Sequence, residues 1–152
     1  MIPVSIYEQV LFDTVKRGAT QISPDVKEAF EAAIARESNP DAKRGLMATL
    51  ESMAMSAKRE NPLCVDTGWP IFYFKVGNQC VLEGGFVELE NAARRAVAKA
   101  TELGYLRATM KHPLTGYDPG NNIGMNIPDF TYQFVPGDHI EISYAAKGGG
   151  SE

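Results

Sequence analysis

The chain has 152 residues, of which 44% are hydrophobic and 22% charged, with a formal net charge of -4 and a pI near 5.2. That length suits one domain, residues 1–152, able to bury roughly 68 to 70% of the surface its unfolded form exposes. The balance is that of an ordinary soluble protein, not of a disordered or membrane-spanning one. Acidity argues against a nucleic-acid-coating surface, because Lys and Arg must neutralise phosphates there, but it leaves room for a small anion in a locally positive pocket. Met1 to Val10 has no basic start followed by a long apolar core, and no stretch approaches the ~20 apolar residues that cross a bilayer. With only Cys64 and Cys80 as thiols, a reducing cytoplasm is the expected home.

Residues 1 to 60 read as helices. Ser5-x-x-Glu8 has the form of a capping box, and Ile6, Val10, Leu11, Thr14 and Val15 share a helical face before Gly18 ends the run. Ser23-Pro24 opens a second helix, a cap followed by proline in the first turn, carrying Val26, Phe30, Ala33 and Ile34. Asn39-Pro40 opens a third, with Leu46, Leu50, Met53 and Ala54. Amphipathic helices of this kind are expected to cover a core.

The period then changes. Residues 71–76, an aromatic and β-branched run between Pro70 and Gly77, predict a strand buried on at least one face. Phe86, Leu89, Ala93, Val97 and Ala100 return to helical spacing, with Gly104 as C-cap. Residues 111–128 are too rich in Pro, Gly and Asn for regular structure, and a loop of that length inside a compact domain is usually functional or mobile. Two strand-like segments, 131–135 and 139–146, flank Pro136-Gly137-Asp138, which predicts a β-hairpin. The expected fold class is mixed α/β, N-terminal helices packed on a small mixed sheet that includes this C-terminal hairpin.

Chemistry concentrates at Cys64-Val65-Asp66-Thr67-Gly68, a soft metal ligand followed by a carboxylate that can face the same cavity as an acid, base or orienting acceptor. Cys64, Cys80, His112 and His139 lack the short paired spacings of structural zinc sites. Cys80 reads as a small buried hydrophobe, and the two histidines as surface or structural residues. Asp66-Thr67-Gly68 also has the form of the aspartic-protease triplet, but Trp69 stands where that family takes a small residue, and a helical first third is wrong for an all-β protease. Lys147 to Glu152 is Gly-rich: successive glycines let backbone N–H groups converge on an anion, although a Gly-Ser tail can equally be a flexible linker. An abrupt end at such a motif, residues 147–152, leads us to expect a truncated longer protein.

Six segments in order resemble one family, the iron–sulfur hydro-lyases comprising class I fumarases and L(+)-tartrate dehydratases. They are Pro62-Leu63-Cys64-Val65-Asp66-Thr67-Gly68, Leu106-Arg107, His112-Pro113-Leu114, Asn122-x-Gly124-x-Asn126-x-Pro128, Val135-Pro136-Gly137-Asp138 and Lys147 to Glu152. The resemblance covers nearly the whole chain and implies the N-terminal part of that family's α region. It further implies a 4Fe-4S cluster held by three cysteines, with one iron open as a Lewis acid. By position Cys64 would be a cluster ligand and Asp66 would orient or activate the base. Arg107 would grip a substrate carboxylate bidentately, and the N–H groups around Gly148 and Gly149 would receive a carboxylate. The implied partners are a small dicarboxylate substrate and the remaining α sequence and β part, in an oligomer.

Departures from the pattern are Val65 in place of Gln, and Ile123, Met125 and Ile127 in place of polar residues. The family's second and third cluster cysteines lie beyond its Gly-Gly-Gly-Ser segment, and Cys80 does not match either. The isolated chain is therefore expected to be inactive. A non-catalytic fragment or assembly subunit, docking the remaining α sequence and β part, is the alternative.

Overall fold

The computed structural model describes residues 1–64 and 66–148. Along the chain run α1 (Val4–Thr20), α2 (Pro24–Arg36), α3 (Pro40–Arg59), β1 (Trp69–Gly77), α4 (Gly85–Glu102), β2 (Asp129–Val135) and β3 (Ile140–Lys147). The expected mixed α/β class holds. Among the described residues no helix is long and apolar enough to cross a membrane.

The strand order is β2-β1-β3, so the expected hairpin does not form. Instead β1 runs between its two would-be partners, parallel to β2 and antiparallel to β3. Phe72, Phe74 and Val76 make β1 the most apolar strand, and all three are buried, which suits the centre of the sheet. Polar alternation in β2 and β3 suits edges. Residues 136–139 must then span two strand spacings, about 9.5 Å, within the ~13 Å reach of four extended residues. They straddle the end of β1: Gly77 N–H donates to the His139 carbonyl at 2.8 Å, Asn78 N–H to Val135 at 2.8 Å, and Gln79 N–H to Gly137 at 2.8 Å. A Cβ on Gly77 would sit 2.4 Å from the Gly137 oxygen, so only glycine lets the turn close over the strand.

Helices α1 and α4 cover one face of the sheet. The buried stripe of α1 is Tyr7, Leu11, Val15 and Ala19, while Ile6 and Val10 face outward. The helical face is thus rotated from the one expected, because Tyr7 is drawn inward by its hydroxyl, which donates to the Glu83 carbonyl at 2.7 Å. Gly18 does not end α1. The helix continues to Thr20, and Gly18 is where α1 lies against β3, a Cβ there falling 2.7 Å from Tyr144 Cδ1. Nor is Ser5 the cap: the helix begins after Pro3, and Val4 N–H donates to Glu83 Oε2 at 2.8 Å, a carboxylate at the positive helix end. Glu8 instead pairs with Arg95 of α4, Nε to Oε1 2.7 Å.

Helix α4 packs against α1, and the side chains it buries include the small Ala92, Ala93, Ala96 and Ala100 beside Leu89 and Val97. Gly104, in the left-handed region with φ 81°, donates to the Thr101 carbonyl at 3.1 Å and ends the helix as expected. Helices α2 and α3 depart from expectation. Neither has a buried residue; they pack on each other rather than on the core, with Val26, Met47 and Met55 exposed. On the second face of the sheet Trp69, Tyr73 and Lys75 of β1 are exposed and Ile71 is half-buried.

Candidate functional site

The chain from α3 leads into β1, and this entry is fastened at Leu63, Thr67 and Gly68. Leu63 N–H donates to the Ala19 carbonyl at 2.9 Å, fixing the segment to the end of α1. The buried Thr67 hydroxyl donates to the Arg107 carbonyl at 2.8 Å and accepts from the Arg107 N–H at 3.1 Å, so one side chain engages both backbone polar groups of that residue. Gly68 adopts φ 61°, and a Cβ on it would fall 1.9 Å from the Lys147 oxygen; only glycine lets β1 and the end of β3 approach this closely. A Cβ on Gly148 would fall 3.4 Å from Asp66 Oδ2, which puts that carboxylate beside the Gly148 backbone.

Segments far apart in sequence, around Asp66, Arg107 and Gly148, are therefore brought to one junction at one end of the sheet. Asp66 is half-buried, while Arg107 and Cys64 are exposed. Val65 and Gly149 lie outside the described residues.

Asn122 completes the junction from the long loop. It is buried, with φ 58°, a conformation that Asn tolerates better than most residues. Its amide nitrogen donates to the Arg107 carbonyl at 2.8 Å and to Thr101 Oγ1 at 3.1 Å, and its oxygen accepts from Thr109 N–H at 3.0 Å. Residues 111–128 lack regular structure, as expected, but are pinned by this residue. Sequence reasoning assigned no role to Thr67 or Asn122. The available signal was two adjacent asparagines beside Ile123, where a polar side chain among apolar neighbours invites burial.

The other candidates lie elsewhere. His112 Nδ1 accepts from the N–H groups of Leu114 at 3.3 Å and Thr115 at 3.2 Å, a turn-organising role. His139 sits 3.8 Å from Glu141 beside the 136–139 turn. Cys80 is half-buried and packs against the core; burial, then the nearby Asp138 charge, push its thiol pKa up, away from the thiolate a metal would need. Among the described residues, no three His, Cys, Asp or Glu side chains lie close enough to share a metal ion.

Comparison with known proteins gives the class. Residues 8–152 match the model of the fumarate hydratase (Fumerase) family, and the chain belongs to it. It is 33% identical over 145 residues to the putative L(+)-tartrate dehydratase subunit alpha of Methanocaldococcus jannaschii, which covers 94% of this chain and 50% of that one. It is 29% identical over 151 residues to the putative fumarate hydratase class I of Geobacillus stearothermophilus, 97% of this chain and 28% of that one. With the L(+)-tartrate dehydratase subunit alpha of Escherichia coli K12 it shares 32% over 101 residues, 66% of this chain and 32% of that one. The family is one of hydro-lyases, and the chain spans half or less of the length of these relatives.

Proposed function

We propose that this chain supplies part of the active site of an iron–sulfur hydro-lyase, adding or removing water at a small dicarboxylate such as fumarate or tartrate, and that it needs the remaining α sequence and a β part to act. The observation that carries this reading is the junction itself, where the Thr67 hydroxyl and Gly68 bring Asp66, Arg107 and Gly148 together across 40 residues or more of chain. Arg107 is exposed at that junction, and a guanidinium there offers a planar fork matched to a carboxylate. Asp66 would hold or orient the group that takes the proton. The backbone N–H groups around Gly148 and Gly149 would receive a second carboxylate, with the Asp66 carboxylate standing beside Gly148.

A 4Fe-4S cluster is held by several thiolates, and near the junction the sequence offers Cys64, exposed and two residues before Asp66. The described residues do not by themselves fit the cluster. Cys64 would be one ligand, the others coming from polypeptide beyond those residues.

A second reading, a non-catalytic fragment or assembly subunit, is favoured by the exposed Trp69 and Tyr73 on the sheet and by the α2–α3 pair, whose Val26, Met47 and Met55 are exposed. One experiment separates the two. Anaerobic iron and sulfide reconstitution of this chain alone should give no stable cluster absorption and no hydration of fumarate, and both should appear once the remaining α and β polypeptides are added. Turnover by the chain alone contradicts the shared site. Turnover unaffected by Asp66→Asn and Arg107→Gln in the assembly supports the docking role instead.

A further inference from the structure

A pocket of about 720 Å3 opens beside the junction, with Trp69, Met110, Ile123, Met125 and Ile127 among its walls. Its walls are tied to the junction by short links. Trp69 lies two residues from Thr67, and Ile123 follows Asn122, while both Thr67 and Asn122 bond the Arg107 carbonyl at 2.8 Å. Met110 follows Thr109, whose N–H is held by Asn122 at 3.0 Å. At 3.8 Å per residue the Cα atoms of Trp69, Met110 and Ile123 stand within roughly 13 Å of the Arg107 carbonyl, and Met125 and Ile127 continue the wall farther along the loop.

Apolar walls beside a polar site mark a place where a ligand is gripped by its uncharged part. Trp69 is 54% and Met125 87% exposed, so much of that apolar surface faces outward. An unsubstituted four-carbon dicarboxylate, charged at both ends, has no arm to lay against it. Polar side chains at the pocket are those of Lys111, His112, Tyr117, Asn126 and Asp129. Because His112 Nδ1 accepts two backbone N–H groups, the neutral ring carries its proton on Nε2 as a donor.

We propose that this pocket sets the substrate class: it receives the uncharged alkyl or aryl arm of a 2-substituted dicarboxylate whose carboxylate is held at Arg107. The assignment rests on the junction being a dicarboxylate site. Trp69 is the sole tryptophan, so its emission reports the pocket directly. The full chain is titrated with 2-benzylsuccinate, succinate and benzyl alcohol. 2-Benzylsuccinate should give a saturable blue shift with half-saturation at least tenfold below either comparator. Met125→Gln, at an exposed position, and Ile127→Asn should each raise that half-saturation severalfold, with far-UV circular dichroism confirming the fold. No saturable shift, equal binding of benzyl alcohol, or indifference to both variants overturns the assignment. So does a shift produced only by a relative's β polypeptide, which makes the pocket a docking surface. Arg107→Gln separates the two layers: it should weaken 2-benzylsuccinate and leave benzyl alcohol unchanged. If 2-benzylsuccinate binding survives it intact, the dicarboxylate reading of the junction fails, and the assignment falls with it.

Discussion

Replacing Asn122 by alanine should be among the costliest single changes at the junction. The Arg107 carbonyl keeps its bond from Thr67 Oγ1, so it is not orphaned. Thr109 N–H, however, loses the acceptor it has at 3.0 Å. An unsatisfied buried donor costs about 1–3 kcal/mol, and forcing alanine into φ 58° adds about 1–2 kcal/mol. The expected total is about 3 kcal/mol, which for a chain of this size lowers Tm by roughly 6–12 °C. Asn122→Gly relieves the backbone strain but adds unfolded-state entropy, so it should be more stable than the alanine variant by about 0.5–1 kcal/mol. Urea unfolding and thermal melts of both variants measure these differences. If both stay within about 1 kcal/mol of the parent, or glycine is no better than alanine, Asn122 does not pin the loop to the Arg107 segment.

Gly18→Val should destabilise by about 1–3 kcal/mol through overpacking, since even its Cβ falls 2.7 Å from Tyr144 Cδ1; an unchanged melting curve would show that α1 does not lie on β3 as described. Gly68→Ala should prevent accumulation of folded protein, because its Cβ meets the Lys147 oxygen at 1.9 Å on a backbone at φ 61°; a native-like NMR spectrum of the variant would contradict the close crossing. Glu8 is held below its ordinary pKa of 4.5, first by the hydrogen bond from Arg95. The folded state thus binds fewer protons than the unfolded one, so this contribution is complete above pH 4.5 and disappears as pH falls through the lowered pKa. Both side chains are partly exposed, so the loss should be small and salt-sensitive. Urea midpoints measured down the acid range should show it in the parent and not in Glu8→Gln.

What the sequence revealed follows local chemistry. The apolar run at 71–76 and the Gly104 cap were legible because burial on one face and a left-handed C-terminus leave signatures within a few residues. The strand order was not. Pro136-Gly137-Asp138 reverses the chain whether or not another strand lies between its arms, and only the bonds from Gly77, Asn78 and Gln79 decide that β1 does. Gly18 looked like a stop because a helix-breaking residue and a close-packing residue are the same letter. Ser5 and Glu8 had the form of a cap, yet the acceptor for Val4 comes from Glu83, in another part of the chain. At the junction, Asp66 stood out by type beside Cys64 and Arg107 only through the family resemblance, whereas Thr67 and Asn122 act through partners 40 and 15 residues away that no local pattern announces.

The most direct test is the iron retained per chain after anaerobic loading of the assembly of this chain with the remaining α and β polypeptides, measured for the parent and for Cys64→Ser. If Cys64 is a cluster ligand at the Asp66–Arg107 junction, the serine variant should lose most of its iron and its cluster absorption while the assembly stays intact on gel filtration. Iron retained at the parental level in the intact variant assembly would remove Cys64 from the ligand set and contradict the shared iron–sulfur site.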